Sequence, residues 1–478
     1  MSRRWTLVGL ARPFARWAGW TAVFAAVLTA VPASHVSALE AILLEERLAQ
    51  TVPERMSRES VSGLVIVLLR NGTMVWMGAF GMADPQAGRA ITPDALFRVE
   101  SISKPVTAWG AMRLAETGRL DLDASLTKCL ADWQPPGGLP PITPRELLSH
   151  SAGIGLGDYA ARYAPGAPRP GLTEHLAEDF SIIGAPGNRF AYSDTGFNLL
   201  ELVIEACTGE NFGTLMAREV LEPLGMDGAS FDWTGANMPV GHDLRGRPVL
   251  PYVYPGRASG GLHATAADIA RFALAGMSRS EQGGLSAGAV AEMHRPVVEV
   301  GGLFSFAADG YGLGHFTEKL SDGRQAVWHG GQGHGWMSHL HIVPDSGDGI
   351  VILSNSQRAW PLFAVILRDW SESLGVAPVG MSRVLWAETG ARSAIVLAMF
   401  AAAFAFWIAI RGRPRLRALR LTVGGVATAL ILWPLWAATQ DYLFLFSILP
   451  SLWPWLAAAS GLAGLSLAAV ALTPDRML

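Results

Sequence analysis

Ser101 and Lys104 stand three residues apart in the segment Phe97-Arg98-Val99-Glu100-Ser101-Ile102-Ser103-Lys104-Pro105. A serine hydroxyl is a poor nucleophile at its own pKa and needs a base beside it. A lysine amine can be that base when partial burial lowers its pKa. The spacing supplies the contact if the segment is helical, because residues i and i+3 share one face a single turn apart. Pro105 in a first turn, followed by Ala108-Trp109-Gly110-Ala111-Met112, predicts such a helix. Its N-terminus would add partial positive charge beside a developing oxyanion. Taken alone, Ser-x-x-Lys also fits an N-capping serine with an exposed lysine.

Two further segments decide between these readings. Phe190-Ala191-Tyr192-Ser193-Asp194-Thr195-Gly196-Phe197-Asn198 and Val327-Trp328-His329-Gly330-Gly331 follow the first in order along the chain. With Ser101 to Lys104 they resemble the three signature motifs of class C β-lactamases and related penicillin-binding-protein-like serine hydrolases. Leu147-Leu148-Ser149-His150-Ser151-Ala152-Gly153, Pro223-Leu224-Gly225-Met226 and Ser259-Gly260-Gly261-Leu262-His263-Ala264 resemble the family as well. The resemblance spans roughly residues 45–375.

That resemblance implies an acyl-enzyme on Ser101, with Lys104 and Tyr192 relaying its proton. Tyr192 would be the base that later activates water and protonates the leaving group. The backbone N–H groups of Ser101 and Gln332 would form the oxyanion hole. His329, Gly330 and Gly331 would lie on an edge strand beside the substrate. A tyrosine between Phe190 and Phe197 has a second reading as plain core. Two positions depart from the family pattern. Asp194 stands where an asparagine is usual, and a carboxylate accepts hydrogen bonds but cannot donate them. It would pair with Lys104 or accept a substrate N–H. His329 stands where β-lactamases and carboxypeptidases carry a lysine, and a neutral or half-charged imidazole attracts a substrate carboxylate weakly. Relatives with histidine there include peptidase-like and esterase-like enzymes. The implied activity is therefore hydrolysis of an amide or ester, D-stereospecific peptidase-like or esterase-like, in the cell envelope. A non-catalytic penicillin-binding-like sensor or a weak β-lactamase is the alternative.

These residues need a scaffold. Leu64 to Arg70 and Thr73 to Phe80 around Asn71-Gly72 predict two strands joined by a type I′ hairpin, the first covered on both faces. Ala326 to Gly330, Met337 to Val343 and Gly349 to Leu353 predict three more strands, and Trp360 to Leu374 a helix. Strands at both ends of a helical middle predict an α/β fold, one antiparallel sheet closed by its first and last segments. The expected hydrolase domain is 39–380, with a helical subdomain between the first two motifs.

The chain has an apolar run from Trp17 to Val31 after Arg3, Arg4, Arg12 and Arg16, followed by Val36-Ser37-Ala38. This predicts a signal peptide or signal anchor over 1–38. At the other end, 381–478 predicts an all-α membrane segment of about three helices, 393–410, 421–438 and 442–472, the last broken at Pro450 or Pro454. Arg411, Arg413, Arg415, Arg417 and Arg420 lie between the first two. Such a cluster stays cytoplasmic, which places 39–380 on the outer face of a bacterial inner membrane.

Composition bounds the rest. A net charge of −3 with 16% charged residues leaves no basic field for nucleic acid. No phosphate loop or dinucleotide fingerprint occurs, and no cofactor is expected. Two cysteines, Cys129 and Cys207, can build neither a disulfide framework nor a thiolate metal site. Whether they pair is open at this level. His339 and His341 share a strand face but lack further ligands, so they read as structural and no metal is expected. His150 reads as a backbone tether, and His334 is near enough to the third motif to line the cleft. The expected partners are a small-molecule or peptide substrate of the envelope and the lipid bilayer.

Overall fold

The computed structural model describes residues 33–472 apart from 131–132, 136–137, 139, 159, 188, 236–237, 278–283, 412–416 and 440–443. The apolar run from Trp17 to Val31 lies outside the described residues, while Val36-Ser37-Ala38 falls within helix α1 (Ala33–Glu59). The described residues divide into two units after Leu48, and the sheet, the candidate site and the C-terminal helices belong to the second.

Strand β1 (Gly63–Arg70) is buried along its whole length and turns into β2 (Thr73–Asp84) through Asn71 and Gly72. Both turn residues have positive φ, 49° and 72°, as a type I′ turn requires. The remaining strands of the sheet are β3 (Arg89–Ala90), β4 (Val298–Glu299), β5 (Gly310–Tyr311), β6 (Phe316–Lys319), β7 (Gln325–Gly333), β8 (Trp336–Val343) and β9 (Asp348–Ser354). Their order is β3-β2-β1-β9-β8-β7-β6-β5-β4, antiparallel at every pairing. First and last segments thus meet at the centre, Ile66 opposite Ile352. Strands β4 to β6 were not foreseen; the first two have two residues each, too short for an alternating pattern to register.

The pleat sends alternate residues to two cores. Val65, Val67, Leu340, Val351 and Leu353 join the core that holds helices α2 (Ser103–Glu116) and α4 (Ala266–Met277). His339 and His341 point the opposite way, their rings 6.2 and 5.1 Å from Trp360 and Trp370 of α5 (Trp360–Ser373). Burial keeps both imidazoles below their ordinary pKa, and no metal-competent cluster occurs among the described residues. Between α2 and α4 runs the helical region that includes Pro144–Leu148, Leu172–Asp179 and α3 (Asp194–Thr208). A Cys129–Cys207 disulfide ties the start of this region to the end of α3.

Beyond α5 the chain forms α6 (Val384–Arg411), α7 (Arg417–Ala438), α8 (Phe444–Ile448) and α9 (Trp453–Leu472). Among the described residues, three helices are long and apolar enough to cross a membrane, with the first candidate span Gly380–Ile410. Phe400, Leu421 and Trp455 are 72%, 87% and 68% exposed, which suits a lipid contact rather than a packed core. The expected third helix is interrupted at 449–452, where Pro450 cannot donate a helical N–H, and Pro454 falls in the first turn of α9.

Candidate active site

Ser101 sits in a 3₁₀ turn, Glu100–Ile102, that runs straight into α2. The turn is stapled from several sides. Val99 N–H donates to the Leu262 carbonyl at 3.1 Å, Ser338 Oγ donates to the Val99 carbonyl at 2.6 Å, and Ser103 Oγ donates to the Glu100 carbonyl at 2.6 Å. Glu100 adopts φ of +51°, a left-handed conformation that costs energy for a residue with a side chain. Its carboxylate is what holds it there. Oε1 accepts from Arg98 Nε at 2.9 Å and from the Tyr252 hydroxyl at 3.0 Å, and Oε2 accepts from the Tyr254 hydroxyl at 2.8 Å. Arg98 is itself buried, over the Tyr252 ring at 4.1 Å.

One turn on, Lys104 has no solvent exposure. Its Nζ donates to Ser101 Oγ at 3.1 Å, to Asp194 Oδ1 at 2.5 Å and to the Ser259 carbonyl at 2.8 Å. Three acceptors match the three hydrogens of an ammonium. Burial pulls the Lys104 pKa down, and the Asp194 charge opposes it. Tyr192 closes the triangle, its ring centroid 4.9 Å from Lys104 Nζ. Burial, then the Asp194 charge, push the phenol pKa well above its ordinary value, with the Ser101 hydrogen bond working against them. The ring is stacked on Phe304, 5.2 Å away, and against His150 at 4.4 Å. His150 Nδ1 accepts the Ser193 backbone N–H at 3.2 Å, which ties down the segment carrying Tyr192 and Asp194.

Strand β7 runs beside this cluster. Its pairing with β6 ends at Trp328 opposite Phe316, so Gly330, Gly331 and Gln332 have no strand on that edge. A Cβ on Gly331 would overlap the Val99 carbonyl, and one on Gly333 would overlap the Glu100 carboxylate. These glycines let the strand lie directly against the nucleophile turn. Gln332 lines the cleft with its side chain held at both ends, Oε1 accepting from Trp360 Nε1 at 3.1 Å and Nε2 donating to Ser447 Oγ at 3.0 Å.

His329 is placed differently from Gln332. It is fully buried and faces an aromatic pocket, with Tyr311 Oη 3.2 Å from Nε2 and the Gly330 carbonyl 2.8 Å from Nδ1. With one nitrogen donating to that carbonyl, the other accepts from the Tyr311 hydroxyl. Burial and the nearby Lys104 charge drive its pKa well down, so the ring is neutral. The polar cleft over Ser101 has a volume of ≈ 320 Å³, at the small end of ligand sites. Its walls include Asp158, Arg162, Asn198, Tyr254 and His334. Ser101, Lys104, Tyr192 and Asp194 therefore converge, and Gly330 to Gln332 flank them.

Several residues escaped the sequence reading. The Ser259 carbonyl gives no chemical signal in the sequence, since any residue has one. Glu100 was adjacent to the nucleophile, yet only its positive φ and its three buried donors mark it, and neither is visible in a string of residues.

The family model described as Beta-lactamase matches residues 48–366. Esterase EstB of Burkholderia gladioli is 27% identical over 389 residues, covering 69% of this chain and 96% of the esterase. Penicillin-binding protein 4 of Amycolatopsis lactamdurans is 27% identical over 308 residues, 61% of this chain and 80% of that protein. Among solved structures, the octameric penicillin-binding protein homologue from Pyrococcus abyssi has a TM-score of 0.62 and 27% identity, covering 70% of this chain and 78% of its own. D-alanine carboxypeptidase AmpC from Burkholderia cenocepacia, at 21% identity and a TM-score of 0.54, shares the fold over 66% of this chain and 95% of its own.

Proposed function

Since the chain belongs to the beta-lactamase family and is a hydrolase of that kind, we propose that it is a membrane-anchored serine hydrolase cleaving an ester or amide through an acyl-enzyme on Ser101. The observation that carries this reading is Lys104 Nζ at 3.1 Å from Ser101 Oγ, with the Tyr192 ring centroid 4.9 Å from the same ammonium. Lys104 donates to the serine oxygen, so the serine proton is directed at the Tyr192 oxygen. Ser101 Oγ bonds to the substrate carbonyl carbon, and its proton passes to Tyr192 as Tyr192 gives its own proton to the leaving oxygen or nitrogen. The bond from carbonyl carbon to leaving atom then breaks. In this shuttle no free phenolate forms, which agrees with a phenol whose pKa is raised by burial. Water follows the same route in reverse, attacking the acyl carbon while Tyr192 takes its proton and returns one to Ser101. The oxyanion is assigned to the backbone N–H groups of Ser101 and Gln332.

Esterase-like or D-stereospecific peptidase-like turnover suits the site better than β-lactam hydrolysis. Asp194 puts a negative charge beside the nucleophile, and neutral His329 offers no cation for a substrate carboxylate. The assigned domains are a hydrolase at 39–380 and a membrane domain at 381–478, with the hydrolase on the outer face of a bacterial inner membrane and its substrate in the envelope. Support comes from the arginine cluster after the first candidate span and from the Cys129–Cys207 disulfide, a bond of oxidising compartments.

The test is labelling of the full chain with a fluorophosphonate and a fluorescent penicillin, with mass mapping of the adduct. Labelling is expected at Ser101 and lost in Ser101→Ala. Undiminished labelling of that variant would remove Ser101 from its role.

A further inference from the structure

A second, narrow cavity begins where the catalytic cluster ends. Tyr192, His329, Gly330 and Gln332 line it, and its walls are mostly apolar, with Phe304, Ala307 and Trp360 from the hydrolase fold. Its outer wall comes from the membrane segment: Met381 and Val384 at the start of the first candidate span, and Ile448 at the end of α8. Gln332 belongs to both this slot and the polar cleft over Ser101, and its side chain is held by Ser447, the residue next to Ile448. The free volume is ≈ 40 Å³. By that measure one water needs ~10–15 Å³, so the slot admits a run of about three methylene-sized groups. Phe306, on its rim, is 41% exposed, so a longer chain would continue over apolar surface.

We infer that this slot takes the alkyl chain of the leaving group, so that the preferred substrates are esters or amides of a linear aliphatic alcohol or amine presented from the bilayer. The inference rests on the acyl-enzyme reading above and deepens it. The side of the scissile bond is argued from Tyr192: the residue assigned to protonate the leaving atom also lines the slot, so what extends from that atom is directed into it. An alkyl chain suits walls of Phe304, Phe306, Trp360, Met381, Val384 and Ile448, which give a polar or charged leaving group no return for its lost hydration. The bilayer as source follows from the outer wall, built at the head of a helix apolar enough to span it. This also gives the membrane helices a part in selecting substrate, which a simple tether would not require.

The full chain in lipid nanodiscs would be assayed on two ester series, acetates of ethanol to octanol and ethyl esters of acetic to octanoic acid. The expected result is a kcat/KM at least about tenfold higher for octyl than for ethyl acetate, a size that a few buried methylenes readily supply. Ala307→Trp and Ile448→Trp, filling the slot from opposite walls, should each bring that ratio close to one. Fluorophosphonate labelling of Ser101 should persist in both, which shows that the variants fold. Two results overturn the inference alone: labelling of Ser101 with no preference for the longer alcohol, or a preference that survives both tryptophans. A preference confined to the acid series would move the chain to the acyl side and equally defeat it. Failure of Ser101 to label would instead bring down the acyl-enzyme reading, and the slot assignment with it.

Discussion

Asp194 reaches back from the first turn of α3 to lie 2.5 Å from Lys104, ninety positions earlier in the chain. The pair sets the charge state of the whole site. Burial lowers the Lys104 pKa, and the Asp194 charge opposes that. The same carboxylate raises the Tyr192 phenol and so keeps its proton in place.

Replacing Asp194 by asparagine should therefore move the pH dependence in a defined direction. The alkaline limb of kcat/KM is assigned to loss of the Lys104 proton, which burial already places below the ordinary lysine range. Without the carboxylate that pKa falls further, so in Asp194→Asn the limb should move to lower pH. A pH–rate profile on one short ester measures it. A limb that stays in place would assign the titration to another group.

Gly333→Ala should slow acylation by displacing Glu100. The added Cβ overlaps the Glu100 carboxylate, whose bonds to Arg98, Tyr252 and Tyr254 hold the turn before Ser101. Labelling of Ser101 by a fluorophosphonate should slow about tenfold, with a stability cost of about 1–3 kcal/mol for the overpacking. Wild-type labelling kinetics in this variant would show that Glu100 does not position the nucleophile.

Arg98→Met should destabilise the hydrolase domain by about 3–5 kcal/mol, because it leaves the Glu100 carboxylate buried without its cation. Denaturant unfolding followed by tryptophan fluorescence reads this directly. A loss under 1 kcal/mol would mean that the two tyrosine hydroxyls suffice.

Glu318 supplies a pH-dependent stability term. Desolvation raises its pKa to about 7 from 4.5, although it accepts the Gly380 N–H at 2.9 Å. For a carboxyl raised in the folded state, the folded form holds the proton more tightly. Stability is then greatest below the unfolded value and falls as pH rises through the window from 4.5 to about 7. Glu318→Gln should be more stable than the wild type at pH 8, by about 3 kcal/mol at most, and nearly equal to it at pH 4. Unfolding midpoints at the two pH values test this, and a variant less stable at both would refute it.

Breaking the Cys129–Cys207 bond, by Cys129→Ser with Cys207→Ser, should cost about 2–5 kcal/mol, since it closes a long loop. It lies at the far end of α3 from Asp194, so labelling of Ser101 at 25 °C should persist. An unchanged unfolding midpoint would count against a stabilising role.

What the sequence determined by itself is what short-range periodicity can carry. A helical turn brings Ser101 and Lys104 together at a spacing of three. Asn71-Gly72 admits the positive φ of a two-residue hairpin, and an uncharged run of membrane length followed by arginines marks a span. What the tertiary structure decided lies between residues far apart in the chain: the Ser259 carbonyl on Lys104, the burial that neutralises His329, the Arg98–Glu100–tyrosine cluster, and a slot shared by residues 192, 307, 384 and 448. Local pattern cannot encode these, because a buried group's charge and a cavity's shape depend on which distant side chains pack around it, and packing is settled only when the whole chain closes.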